Sequence, residues 1–131
     1  MAEHELSFKE MCTKYEVTPR TLRYYEYIEL LSPRRDGRAR WYGAREQARM
    51  TLILRGRRFG FSLEEIRQWL EIYGTEGNEA QLRVWVKRAE EQIEALILQQ
   101  AQLGEVIEEL RQLRDEANDS LSASDQMQRI N

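Results

Sequence analysis

A chain of 131 residues with 41% hydrophobic side chains suffices for one small core and an appended element, but not for two full domains. One cysteine, Cys12, and one histidine, His4, exclude a disulfide framework and a closed thiolate or imidazole metal site within one chain, so no metal or other cofactor is expected. The net charge of −3 joins two unlike halves: residues 20–58 hold eleven arginines against four acids, whereas from residue 71 onward six basic residues face thirteen acidic ones.

Arginine forks match phosphate oxygens and guanine edges, which suits the front half to nucleic acid and leaves the acidic rear half for another task. An enzyme is disfavoured, because the sequence holds neither a nucleophile paired with a base nor a glycine-rich phosphate loop. The acidic N-terminus lacks the basic patch and apolar run of a signal peptide, and no stretch approaches a membrane span. A cytoplasmic location with no membrane partner is the expectation.

In chain order, Ser7 and Glu10 form a capping box, and Phe8, Met11, Cys12 and Tyr15 follow at helical spacing as one stripe of a first helix. After a brief turn at Glu16 and Val17, Thr18 caps and Pro19 opens a second helix reaching about Glu29. Its inner stripe is Leu22, Tyr25 and either Ile28 or Glu29, which leaves Arg20, Arg23, Tyr24 and Tyr27 outside. Two short helices across a tight turn, with arginines early in the second, make a helix-turn-helix pattern. Ser32-Pro33 ends it, and Arg34 to Tyr42 reads as a basic hairpin wing turning at Asp36-Gly37. A third helix runs from about Ala44 to Phe59 and stops at Gly60. A fourth opens with the capping box Ser62 to Glu65 and carries Ile66, Trp69, Leu70 and Tyr73 on its stripe. Gly74, Gly77 and Asn78 mark a linker.

From Asn78 to about Glu116 there is no proline and no turn cluster, and a heptad is legible. Leu82, Ala89, Leu96, Leu103, Leu110 and Ala117 recur every seven residues, with Val86, Ile93, Gln100, Ile107 and Arg114 between them. A seam flanked by charge on both sides needs a partner helix, and a second identical chain is the simplest one. The candidate dimerisation residues are therefore Leu82, Val86, Ala89, Ile93, Leu96, Gln100, Leu103, Ile107 and Leu110. The predicted fold is mainly α. Residues 1–75 form a winged helix-turn-helix domain, 76–119 a dimerising coiled-coil helix, and 120–131 a polar, frayed tail.

Three motifs in this order resemble the MerR family of bacterial transcription regulators: Val17-Thr18-Pro19-Arg20-Thr21-Leu22-Arg23-Tyr24-Tyr25-Glu26, the wing end Arg40-Trp41-Tyr42, and Phe59-Gly60-Phe61-Ser62-Leu63-Glu64-Glu65-Ile66. With the trailing helix, the likeness covers residues 7 to about 116. It implies a homodimer joined by an antiparallel coiled coil and bound to a palindrome of double-stranded DNA in a promoter whose polymerase elements are spaced too far apart. Bending and untwisting the spacer realigns those elements for RNA polymerase, a form of indirect readout. The candidate DNA contacts are then Thr18, Arg20, Thr21, Arg23, Tyr24 and Tyr25 on the second helix, with Arg38, Arg40 and Tyr42 on the wing. By position, Arg20 and Arg23 fall to base or backbone, and Tyr24, Tyr25, Arg40 and Tyr42 to phosphate. Tyr25, lying on the inner stripe, is at least as well explained as core.

The chain departs from the family pattern in three places. Glu29 stands where a glycine usually ends the recognition helix, and Arg38-Ala39-Arg40 replaces Gly-Tyr-Arg, with Gly37 one position early. The cysteines of metal-sensing members are absent, so any small-molecule effector is unidentified. An architectural or excisionase-like DNA-binding protein is the alternative function, and a coiled-coil adaptor a weaker one that leaves the arginine cluster unexplained. Trp41, Trp69 and Trp85 are read as packing residues, Cys12 as inert core, His4 as solvated, and Glu64 and Glu65 as serving the helix start.

Overall fold

The computed structural model describes residues 4–74 and 78–130. In chain order it has β1 (Leu6–Ser7), α1 (Phe8–Tyr15), α2 (Pro19–Tyr27), β2 (Arg34–Asp36), β3 (Ala39–Tyr42), α3 (Ala44–Phe59), α4 (Leu63–Gly74) and α5 (Glu79–Ile130). By contact it divides into two compact units, Met1–Trp85 and Val86–Asn131, so α5 begins in the first and continues through the second. Among the described residues no helix is long and apolar enough to cross a membrane.

Each short helix starts where its sequence supplies a cap. The Ser7 hydroxyl accepts the Glu10 N–H at 3.2 Å while the Ser7 N–H donates to Glu10 Oε1 at 2.9 Å, which satisfies two otherwise orphaned donors. Thr18 Oγ1 accepts the Thr21 N–H at 3.1 Å, and Pro19 sits where a missing N–H costs nothing. Ser62 and Glu65 repeat the box at α4, with bonds of 3.0 and 3.2 Å. A further box, not foreseen, opens α5: Asn78 Oδ1 accepts the Gln81 N–H at 2.8 Å and the Asn78 N–H donates to Gln81 Oε1 at 3.1 Å. Asn78 therefore starts the helix rather than belonging to a linker, and residues 75–77 lie outside those described.

α2 ends two residues earlier than expected, at Tyr27. Glu29 turns into the left-handed region at φ 64°, the conformation that glycine adopts without steric cost. The carbonyls left open there find arginines from later in the chain: Arg49 Nε donates to Leu30 O at 2.9 Å, and Arg67 donates to Ile28 O. The Ser32 N–H then meets the buried carboxylate of Glu46 at 2.8 Å.

The wing is an antiparallel hairpin in the register Arg34–Trp41, Arg35–Arg40 and Asp36–Ala39. Gly37 leads its two-residue turn at φ 61°, the position that demands glycine when a tight hairpin follows the strand twist. β1 adds a third strand on the other side of β3, pairing Leu6 with Tyr42 and Ser7 with Trp41, for a sheet order β1-β3-β2. Below it, Met11, Leu22, Leu30, Tyr42, Met50, Ile53 and Ile66 are fully buried and form one core. α3 and α4 pack closely because Gly56 has no side chain: a Cβ there would stand 2.7 Å from Ile66 Cγ1. Trp69 pairs with Trp85 at a ring separation of 6.3 Å, which supports their reading as packing residues.

The segment 120–130, expected as a frayed tail, continues α5 as helix. Helix formation needs no apolar pattern, and no proline or glycine follows Gly104 to stop it. The seam positions Leu82, Val86, Ile93, Leu96, Leu103, Ile107 and Leu110 are between 41% and 66% exposed in the single chain.

Candidate nucleic-acid interface

The outer face of α2 carries Arg20, Arg23, Tyr24 and Tyr27, all exposed, beside the half-buried Thr21. Arg20 and Tyr24 line an open hollow with Arg57, from the last turn of α3, and Leu63, from the start of α4. Arg57 was not singled out by sequence. Its only signal was membership of the run Arg55-Gly56-Arg57-Arg58, and neighbours on α3 point in different directions, so only the tertiary fold, which brings its side chain to the hollow beside α2, could select it.

Thr18 is committed to the cap, and its hydroxyl also donates to Thr21 Oγ1 at 2.9 Å. On the wing, Arg38 is exposed at the turn. Among the described residues, Arg20, Arg35, Arg38, Arg55, Arg57 and Arg58 carry no side-chain hydrogen bond or ion pair, so their full donor sets face solvent.

Other arginines of the basic segment serve the fold. Arg34 is held by Glu5 through Nη2 at 2.8 Å, and that hydrogen bond holds the Glu5 carboxyl below its usual range. Arg45 pairs with the buried Glu46 at 2.6 Å. Arg49 is half-buried against the exit of α2, and burial lowers its pKa. The positive surplus of residues 20–58 is therefore only partly offered to a ligand.

Two expected contacts are corrected. Tyr42 is wholly buried, and its hydroxyl donates to Glu26 Oε1 at 2.6 Å, so it has no donor to give a phosphate. Burial first, and the Glu26 hydrogen bond second, push its phenol far above the ordinary range. Tyr25 is 6% exposed and belongs to the core, as its place on the inner stripe allowed.

The residue that sequence reasoning missed is Glu26. Its side chain is 6% exposed and lies 3.4 Å from Arg40 Nε as well as under the Tyr42 hydroxyl, so it ties α2 to β3. The signal was present, since Glu26 stands four residues after Leu22 on the buried stripe, where a carboxylate requires partners. Gln47 makes a second tie: Nε2 donates to Tyr42 O at 2.9 Å and His4 O at 3.0 Å, and Oε1 accepts from Lys14 Nζ at 3.0 Å.

Arg40 is consequently half-buried rather than free. Its Nε is buried without a hydrogen bond, and its guanidinium carbon lies over the Phe8 ring, 5.4 Å from the centroid. Arg23, from α2, lies over the same ring at 5.3 Å. Cys12 is half-buried on α1, and burial pushes its thiol up, away from the reactive thiolate. Among the described residues no three His, Cys, Asp or Glu side chains gather where a metal ion could be held.

Helices α1 and α2 across a tight turn, a hairpin wing and a basic outer face define a winged helix-turn-helix DNA-binding protein. Two family models match, the MerR HTH family regulatory protein over residues 6–72 and the MerR DNA-binding region over residues 47–113. An uncharacterised HTH-type transcriptional regulator of Pseudomonas aeruginosa is 33% identical over 117 residues, covering 87% of this chain and 81% of its own length. The regulator ZntR of Escherichia coli is 40% identical over 65 residues, 48% of this chain and 46% of its own. Among solved structures, a MerR-family transcriptional regulator from Bacillus cereus superposes with a TM-score of 0.65 at 27% identity, over 79% of this chain and 75% of that one. HiNmlR, a MerR family regulator lacking the sensor domain and bound to promoter DNA, superposes with a TM-score of 0.60 over 80% of each chain, a likeness of fold at 23% identity. The chain belongs to the MerR family and is a DNA-binding transcriptional regulator.

Proposed function

We propose that the protein binds a promoter palindrome as a homodimer and acts by distorting the spacer between the polymerase elements, with RNA polymerase as its functional partner. The observation that carries the reading is the exposed seam of α5. A leucine or isoleucine side chain gains about 1.5–3 kcal/mol on full burial, and Leu82, Val86, Ile93, Leu96, Leu103, Ile107 and Leu110 all await it on one face of a single helix. A second copy supplies the same seam, and two-fold symmetry then sets two α2 helices against inverted half-sites. Distortion follows from the family's mode of action and from the basic face, which offers many phosphate donors to offset the bending cost.

Selection of bound fragments from the organism's own genome, followed by footprinting, tests this. Protection confined to a promoter spacer, with inverted half-sites, supports the reading. Dispersed protection without half-sites replaces it with an architectural role.

A further inference from the structure

We propose that Phe8 is a positioning residue for DNA binding: its ring is one platform under two guanidiniums, Arg23 of α2 and Arg40 of the wing, and it sets them together before DNA arrives. The inference rests on the reading of α2 and the wing as the DNA face. Both guanidinium carbons lie within the range of a cation–π contact, at 5.3 and 5.4 Å from the same ring centroid. Phe8 itself opens α1, off the recognition helix, and it is half-buried against the core.

The chemistry separates this contact from the other arginine contacts of the fold. Arg34 uses Nε and Nη2 on the Glu5 carboxylate, and Arg49 uses Nε on a carbonyl, so each spends in-plane donors on the protein itself. A ring holds a guanidinium by its face, which leaves the N–H fork free for phosphate oxygens or a guanine edge. Arg23 accordingly has no hydrogen bond or ion pair among the described residues. Arg40 has only the 3.4 Å approach of its Nε to Glu26, with its terminal nitrogens unbonded.

The ring also answers a cost. Two like charges drawn toward one side chain repel, and the buried Nε of Arg40 lacks a hydrogen bond. The negative face of the ring and the Glu26 carboxylate offset both, and DNA phosphates would complete the neutralisation. Order in two long side chains, established before binding, removes an entropy cost that would otherwise fall on the complex.

The test is a double-mutant cycle read on the duplex that the wild-type protein enriches from a random-sequence library. Phe8→Leu keeps an apolar side chain and removes the aromatic face, and Phe8→Tyr restores that face. Immobilising a flexible side chain costs enough that Phe8→Leu should weaken binding by about two- to tenfold for each arginine released. Phe8→Tyr should bind within about twofold of wild type. In the Arg23→Ala/Arg40→Ala background Phe8→Leu should have no further effect. If Phe8→Leu costs the same fold in that background, or if Phe8→Tyr binds as weakly as Phe8→Leu, the ring acts through the core and the proposal is overturned. Should Phe8→Leu fail to fold, Phe8→Met, whose flexible thioether refills the core, takes its place in the cycle. Failure of the interface reading is a separate result, in which Arg23→Ala and Arg40→Ala leave binding to the wild-type duplex unchanged.

Discussion

Replacing Tyr42 by phenylalanine removes one oxygen and tests whether that residue serves the fold or the DNA. The hydroxyl lies 2.6 Å from Glu26 Oε1, the ring is fully buried and the carboxylate is 6% exposed, so its other approach is Arg40 Nε at 3.4 Å. A hydrogen bond to a charged group contributes about 1.5–3 kcal/mol, and loss of the donor leaves a buried carboxylate under-satisfied. For a unit of this size that lowers the midpoint of tertiary melting by on the order of 10 °C, read by near-UV circular dichroism. The effect carries a pH signature. A phenol whose pKa is raised on folding contributes stability that is fully present below the unfolded value, near pH 10, and is lost as pH climbs above it toward the folded value. The gap between wild type and Tyr42→Phe should hold at neutral pH and narrow in strong alkali. Below the melting range the variant should keep the wild-type salt dependence of DNA binding. An unchanged melting midpoint together with a salt slope smaller by about one unit per protomer would make Tyr42 a phosphate contact and refute the reasoning.

Glu29→Gly should raise stability by up to about 1.6 kcal/mol. The left-handed conformation at φ 64° costs a side-chain-bearing residue about 1–2 kcal/mol, from which the greater unfolded freedom of glycine subtracts about 0.4–1. Urea denaturation should show a higher midpoint at unchanged m, and a lower midpoint counts against the account. Replacing both Leu96 and Leu103 with Asp places charge on the α5 seam and should convert a dimer to monomer in sedimentation, whereas an unchanged dimer rejects the seam assignment.

The local parts of this fold were legible because their causes are local. Ser7, Thr18-Pro19 and Ser62 start helices through atoms three residues away, and Gly60 stops α3 through its own φ of 91°. β1 escaped because two residues carry no periodicity, and it is a strand only because β3 lies beside it. The same distance hid the division of labour among the arginines. Arg20 and Arg49 look alike in sequence, yet one faces solvent and the other closes a carbonyl nineteen residues back in the chain. For the aromatics, the stripe placed Tyr25 inside, but the wing gave no sign that Tyr42 would turn inward to Glu26. The outer face of α2 was thus readable as a helix surface, while what holds the wing to it was a product of tertiary packing.

Binding of Arg20→Ala, Arg23→Ala and Arg40→Ala to matched and single-mismatch duplexes across a salt series tests the central claim most directly. On the proposed reading, the exposed arginines on the first turns of α2 meet guanine O6 and N7 in the major groove, and Arg40 on the wing meets the sugar-phosphate edge. Arg20→Ala or Arg23→Ala should cost about 1–3 kcal/mol on the matched duplex and relax preference at one base pair per half-site. Arg40→Ala should weaken all duplexes alike and flatten the salt dependence by about one unit of slope per protomer. If Arg40→Ala alone relaxes base preference while Arg20→Ala and Arg23→Ala leave it intact, α2 is not the helix in the groove.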